Sequence, residues 1–402
     1  MSQVRLNIES PFTADPYPHF IKYMGSKSKI MDFVLEGISD TYQGGMVCDL
    51  FSGSSSIAGA IGHQVSIHSN DIQTYSGVLA DTYLNSYSYK GMPTADQILK
   101  AAERIVKKNV ISDDLVVDYG NVKSLSDFNK IEQGHQALIK KTFRRDWHLF
   151  LKFYSGTWWS AEQCLWIDAI RQIAEEHKND ACYPLIISCL MYAMAYTSQG
   201  TGHYAQYRDA KTESSMKDIQ IYRRRSVSAY FKKKYESANE YLPTKKTSLK
   251  HKISTLDYRT CLAEFSGGTV YADPPYCFVH YSRFYHAIET LVLYDYPAIQ
   301  VKSGEVVKGR YREDRHQSPF CIKSKVRESF RELFAGVKES DSNLVLSYSN
   351  TGMIALDELG ELAKQFFSDR RIELLSTDHQ HMTLGRQNDR HRNIKECLIL
   401  VK

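Results

Sequence analysis

Residues 267–276 read GGTVYADPPY. The β-prone run Thr269–Ala272 passes without a break into an acid and two prolines. This pattern predicts a short buried strand halted by a rigid turn, because proline fixes φ and cannot donate to a ladder. The same grammar recurs on both sides. Upstream, MVCDLF (46–51) predicts a buried strand, and FSGSSSIAGAIG (51–62) predicts a tight turn opening a helix. QVSIHSND (64–71) predicts a further strand ending at Asp71, followed by the helical TYSGVLADTYLNSY (74–87). Downstream, KVRESFRELFAGV (325–337) has amphipathic spacing and SNLVLSYSN (342–350) reads as a strand. DELGELAKQFF, RRIELLSTD and ECLILVK then give helix, strand and closing strand. Strands alternating with helices predict an α/β fold built on a doubly wound, mainly parallel sheet.

The pattern changes between about residues 86 and 255. DQILKAAERIVKKNV, SAEQCLWIDAIRQIAEEHKN and LIISCLMYAMAY have helical apolar spacing, with no strand-helix alternation. The predicted organisation is an α/β domain formed by 1–85 and 256–402, with a mostly helical insertion over 86–255. The chain has 402 residues, 43% of them hydrophobic and 24% charged, as expected of a globular protein with a sizeable core. No apolar run reaches the length of a membrane span, and MSQVRLNIES does not resemble a signal peptide, so a cytoplasmic location is expected. The eight cysteines are widely spaced, which predicts reduced thiols and neither a disulfide framework nor a zinc site. A net charge of +5 is mild. Its excess gathers between Tyr222 and Lys252, a distribution that suits either a solvated helix face or phosphate neutralisation.

Three groups of residues carry chemistry. Asp273, Pro274, Pro275 and Tyr276 stand at the carboxyl end of a strand, where open α/β sheets bind ligands. They suit an exocyclic amine whose lone pair is delocalised into a ring. A carboxylate and a main-chain carbonyl, taking one amine hydrogen each, favour the tetrahedral and more nucleophilic nitrogen. Tyr276 offers a face for an extruded base. The second group is the loop DLFSGSSS (49–56), whose small residues let backbone approach a ligand closely. It lacks the G-x-G-x-x-G and G-K-[ST] spacings of dinucleotide and P-loop sites. Asp71, ending the next strand, stands where an acid grips ribose hydroxyls. The third is KYMGSKSK (22–29), which opens a helix and offers Lys27 to a carboxylate or phosphate.

The run Phe20–Lys27, the loop Asp49–Gly53, Asp71 and Asp273–Tyr276 occur in the order of the class-alpha, Dam-like N6-adenine DNA methyltransferases, and the chain resembles that family over about residues 18–85 and 255–402. The resemblance implies a Rossmann-like methyltransferase sheet, S-adenosylmethionine as cofactor and double-stranded DNA as substrate. It also implies transfer to adenine N6 on a flipped-out base, a target-recognition role for 86–255, and a cognate restriction endonuclease as candidate partner. By the same resemblance, Tyr23 (where the family often has tryptophan), Lys27, Asp49, Phe51, Ser52 and Gly53 hold cofactor. Asp71 holds its ribose and Asp257 approaches its adenine. Serines replace the family's usual glycine or alanine in the loop after Asp49.

Two further stretches suit DNA contact. SQGTGHYAQYRDA (198–210) presents His203, Tyr204, Gln206 and Arg208, side chains able to read or stack on bases. GRYREDRHQSPF (309–320) presents Arg310, Arg312 and Arg315, and Arg223, Arg224 and Arg225 lead the basic run. Each has a plainer alternative as solvated surface. His379 and His381 alternate at a strand end with no third ligand nearby, so no metal is expected. Cytosine N4 presents the same amine problem, although that chemistry more often has serine at the position of Asp273. RNA or protein-amide methylation more often has asparagine there. A non-catalytic DNA-binding protein retaining the fold is the rival outside enzymes. Recognition sequence and oligomeric state are not encoded legibly.

Overall fold

The computed structural model describes residues 11–85, 91–144, 146–180, 182–200, 202–276, 278, 280–382 and 391–402, with backbone alone for 378–382 and 391–395. In chain order its strands are β1 (Val47–Asp49), β2 (Ile67–Asn70), β3 (Lys252–Ser254) and β4 (Thr269–Ala272). A small antiparallel ribbon follows, β5 (Val301–Lys302) with β6 (Glu305–Val306), and then β7 (Asn343–Ser349), β8 (Ile372–Met382) and β9 (His391–Val401). Apart from the ribbon, these strands form one sheet ordered β3-β2-β1-β4-β7-β9-β8. Neighbours from β3 to β7 pair parallel, and β9 runs antiparallel between β7 and β8. The chain steps outward from β1 to β2 to β3, then returns to β1's other side with β4. Connections to β1 and β4 therefore depart in opposite directions, and a crevice opens beyond their carboxyl ends. Asp49 pairs in register with Tyr271, so the loops after β1 and β4 begin side by side there.

Helices cover both faces, and strand alternation decides which residue faces which layer. Val47, Tyr271 and Val345 point to α1 (Met31–Thr41) and α2 (Ser56–Ile61). α3 (Thr74–Leu84) follows β2. Between β2 and β3 lie α4 (Ala95–Asn109), α5 (Leu125–Gln136), α6 (Leu149–Tyr154), α7 (Ala161–Glu176), α8 (Tyr183–Thr197), α9 (Glu213–Arg223) and α10 (Val227–Tyr241). Cys48, Val270 and Leu344 face the opposite layer, made by α11 (Tyr258–Glu264), α14 (Val326–Glu339) and α15 (Leu356–Phe366). Two short helices, α12 (Tyr281–Phe284) and α13 (His286–Leu293), follow the DPPY turn. No helix among the described residues is long and apolar enough to cross a membrane.

β3 falls inside the stretch expected to be mostly helical and without strands, since Lys252–Ser254 pairs parallel with β2 as the sheet's edge. Three half-exposed residues carry too little pattern to announce a strand. The helical stretch has a small cluster of its own around Tyr119, Phe128 and Met216, but most of its buried residues belong to a larger one. Phe20, Tyr75 and Leu79 join residues of α4, α7, α8, α10 and α13 in one continuous buried cluster. The helices are thus packed onto α3 and α13, the elements that flank the crevice.

Candidate active site

A cavity lies over the carboxyl ends of β1, β2 and β4. Tyr23, Lys27, Asp49, Phe51, Ser52, Gly53, Asp71, Asp257 and Asp273–Tyr276 all line it, so the fold gathers every residue read as catalytic or cofactor-binding. Gly53 has φ +50°, and a Cβ there would stand 2.6 Å from the Tyr23 hydroxyl oxygen, so the loop requires glycine. The Gly53 N–H donates to Asp71 Oδ2 at 2.9 Å, and the Gln73 N–H donates to Oδ1 at 2.9 Å. Burial pushes the Asp71 carboxyl up to about 6, although these backbone donors work the other way. Ser52 spends its side chain on the framework, bonding Asn70 O at 2.9 Å and Ser76 Oγ at 3.1 Å. Tyr23 stacks on Tyr285 at 4.8 Å and 17° and lies 5.9 Å from Tyr281, forming an aromatic wall.

Asp49 is 2% exposed, and burial together with the charges of Asp273 and Asp71 raises its pKa well above the usual carboxylate range. Three acids near one another favour a cationic occupant. Asp257 sits at the rim, capping α11 through the Arg259 N–H at 3.0 Å and paired with the Arg259 Nε at 2.8 Å.

Lys27, offered by its sequence to a carboxylate or phosphate, meets two carboxylates. Its Nζ lies 3.1 Å from Asp273 Oδ1 and 3.3 Å from Glu396 Oε2. Burial disfavours the ammonium, but the two carboxylates outweigh it and keep Lys27 charged. Asp273 Oδ1 is buried beside the Lys27 ammonium, and a carboxylate oxygen accepts more than one hydrogen bond, so it retains an acceptor to offer. Burial raises the Asp273 pKa to about 6, with Lys27 lowering it and Glu396 raising it. The Tyr276 hydroxyl donates to Glu396 Oε1 at 2.9 Å, and its backbone carbonyl accepts from the Met353 N–H at 3.1 Å.

The sequence that builds this site matches a known family model. The D12 class N6 adenine-specific DNA methyltransferase model matches residues 23–347, well over half of the chain. The chain belongs to that family. Among its relatives are the LlaI modification methylase of Lactococcus lactis subsp. lactis, 23% identical over 95% of this chain and 55% of its own length. The type II methyltransferase M.NlaIII of Neisseria lactamica is 21% identical over 92% of this chain and 95% of its own. M.FokI of Planomicrobium okeanokoites is 22% identical over 86% and 47%. The chain thus spans about half the length of the LlaI and FokI relatives.

In this D12 family member the expected DNA-contact residues divide. Arg223 is buried, and its guanidinium meets Glu132 at 2.6 Å and the carbonyls of Thr157 and Trp158. A charge so enclosed does not reach phosphate, and the expectation is corrected to a structural role. Arg312 is likewise buried in a two-pronged pair with Asp295 at 2.6 and 2.7 Å. Arg310 is buried as well, and so are His203, packed on Phe284, and Tyr204, packed against Trp158 and Trp159. Gln206 and Arg224 are exposed. Arg208 pairs with Asp218 at 2.7 Å while staying partly exposed, and Arg225 donates to Tyr196 O at 2.6 Å. Arg315 is half-buried, with its Nε unbonded and weak hydrogen bonds to Gln300 at 3.3 and 3.4 Å.

Sequence patterns miss several contributors. Asn70 ties three strand ends together, donating to Leu50 O and Leu256 O and accepting from Ser254 Oγ and Leu256 N–H. Glu289 accepts the Thr74 and Tyr75 N–H groups at 2.9 and 3.0 Å, capping α3. Glu396 gives no signal, because its partners lie 120 or more residues away. Spacing also hides a Cys/His group: Cys48 and Cys261 sulfurs are 4.0 Å apart, and Cys261 is 3.9 Å from His68 Nε2. The His68 nitrogen is held by the Ser254 hydroxyl at 2.8 Å, making a buried polar set behind the cavity. The side chains of His379 and His381 lie outside the described residues.

Proposed function

We propose that the protein is a site-specific DNA methyltransferase that transfers a methyl group from S-adenosylmethionine to adenine N6 on a base turned out of the duplex. The observation that carries this reading is the buried, still-available Asp273 Oδ1 at the sheet's switch point. Among the described residues the Tyr276 carbonyl accepts from the Met353 N–H and the Pro275 carbonyl faces the Cys321 thiol at 4.0 Å, and we assign the second acceptor to the Pro274 carbonyl. An amine held by both gives up its hydrogens to acceptors and directs its lone pair at the donor. The Tyr276 ring supports the base.

The cavity's residues fit the cofactor chemically. Asp49 and Asp71 suit a ligand with cationic and hydroxyl groups, and the Gly53 turn admits close backbone approach beneath Tyr23. Asp49, Phe51 and Gly53 would line the methionine and adenosine portions, Asp71 the ribose, and Asp257 the adenine edge. When bound, the sulfonium supplies an electrophilic methyl. Positioning and electrostatics by Asp273 and the Pro274 carbonyl carry the protein's share of the rate. The helical layer 86–255 would form the target-recognition wall, and the modification-methylase relatives support a cognate restriction endonuclease as partner in the cytoplasm.

The test is direct. Unmethylated DNA is incubated with the protein and labelled S-adenosylmethionine, digested to nucleosides and separated. N6-methylated deoxyadenosine is expected. N4-methylated deoxycytidine in its place would reassign the base. Asp273→Ala should abolish transfer and leave cofactor affinity within about threefold, since its partner is the target amine. Turnover near wild type in that variant removes the central claim.

A further inference from the structure

We propose that Glu396 is the positioning residue of the catalytic turn, holding Asp273 through Lys27 and the Tyr276 ring through its hydroxyl. This rests on the reading that Asp273 and Tyr276 act on the target base. Glu396 is 1% exposed and sits on β9, paired in register with Ser349 of β7 and Thr377 of β8. A carboxylate so buried is costly unless paired and bonded. Its two oxygens take two different members of the site: Oε2 the Lys27 ammonium at 3.3 Å, and Oε1 the Tyr276 hydroxyl at 2.9 Å.

Lys27 therefore stands between two carboxylates, 3.1 Å from Asp273 on one side and 3.3 Å from Glu396 on the other. One ammonium alone would neutralise Asp273 and draw its carboxylate into a full charge-assisted hydrogen bond, weakening it as an acceptor for the amine. Glu396 competes for that ammonium. The outcome is the arrangement observed, one ammonium shared between Asp273 Oδ1 and Glu396 Oε2. The same carboxylate fixes the edge of the Tyr276 ring, so acceptor and stacking face are set by one group. A purely structural Glu396, fastening β9 to the sheet, would affect folding and leave the chemistry of Asp273 unchanged.

The pH profile separates these roles. Asp273 faces Lys27 from the turn before α1, Glu396 from β9, Tyr271 from its own strand, Ser347 from β7, Asp49 from β1, and Tyr281 from α12. The Glu396 charge raises the proton affinity of Asp273. Removing it lets Asp273 ionise at lower pH, so the acid limb of kcat/KM moves down.

Steady-state methylation of unmethylated duplex DNA would be measured from about pH 5 to 9 for wild type, Glu396→Gln, Tyr276→Phe and the double variant. Glu396→Gln should lower kcat by about tenfold or more, with KM for DNA and cofactor moving less than about threefold, and shift the acid limb downward. Tyr276→Phe should cost less and leave the limb in place. The double variant should be no worse than Glu396→Gln by more than about twofold, because both cut the same connection. An unmoved acid limb, or losses that multiply, overturns the proposal. If Glu396→Gln does not fold, Glu396→Asp takes its place. It keeps the charge and shortens the reach, so kcat must fall with the limb unmoved, and a wild-type kcat overturns the proposal. Wild-type protein that methylates no DNA would sink the functional reading instead.

Discussion

Asp71 shows how a single carboxylate can be both fastened and functional. Two backbone N–H groups orient it, and each oxygen keeps lone pairs facing the cavity. Burial pushes its pKa up to about 6, the Gln73 and Gly53 donors pull it down, and the Glu289 charge raises it again. In the proposed function a ribose hydroxyl donates to the ionised form, and protonation weakens that acceptor. Cofactor affinity should therefore hold above about pH 6 and weaken as pH falls through that value. Asp71→Ala should cost about 1.5–3 kcal/mol of cofactor binding, the worth of a hydrogen bond to a charged group. Calorimetry on both sides of the transition, with wild type and variant, checks this. Any pH dependence that survives in Asp71→Ala belongs to the cavity's other acids with raised pKa, Asp49 and Asp273. Equal affinity in both proteins at both pH values would mean that the ribose is held elsewhere.

At the scale of elements, legibility follows how local each signal is. β1, β4 and β7 are readable because apolar runs end in Asp49, in the prolines after Asp273, and in a polar turn. β3 is not, since three residues at a sheet edge owe their conformation to β2 and not to their own pattern. The RRR run that begins at the end of α9 illustrates the opposite failure. Pattern alone makes it a surface stripe, yet Arg223 points inward to Glu132 on α5, a partner 91 residues away that no local rule connects to it. Lys27 is legible as a cation awaiting an anion, but which anion depends on β9 arriving beside β7. Arg223→Ala should thus act on stability. It strands the Glu132 charge in the core, where breaking a buried pair costs about 3–5 kcal/mol. Thermal melting would show the destabilisation, and the salt dependence of DNA binding in the folded variant should be unchanged. A normal melting temperature with a flatter salt slope would return Arg223 to the DNA surface.

At the scale of the whole molecule, many of the cations that suggest nucleic acid are consumed internally. Within the basic run, Lys232 pairs with Asp96, Lys245 with Asp15 and Lys252 with Glu264, in addition to Arg223. What matters for DNA is which cations border the catalytic cavity without an acid of their own among the described residues. Arg315 is one, on the loop whose His316, Ser318 and Pro319 line the cavity. On the other side, Lys22 adjoins Tyr23 and lies over the Tyr196 ring at 4.0 Å, while Arg225 donates to the Tyr196 carbonyl. Burial and the Arg225 charge both lower the Lys22 pKa, so two cations are held close together there. On the proposed function, we take a duplex path from Arg315 to Lys22 and Arg225 as the one to test. Removing one cation that neutralises a phosphate should flatten the dependence of log affinity on log salt by about one unit. Arg315→Ala and Arg225→Ala should each do so, the pair together by about two units, with cofactor binding intact because that site is built from β1, β2 and β4. Affinities of wild type and the three variants at several salt concentrations decide it. Slopes equal to wild type in all three would place the duplex on another face of the helical layer, even if methylation of adenine were established.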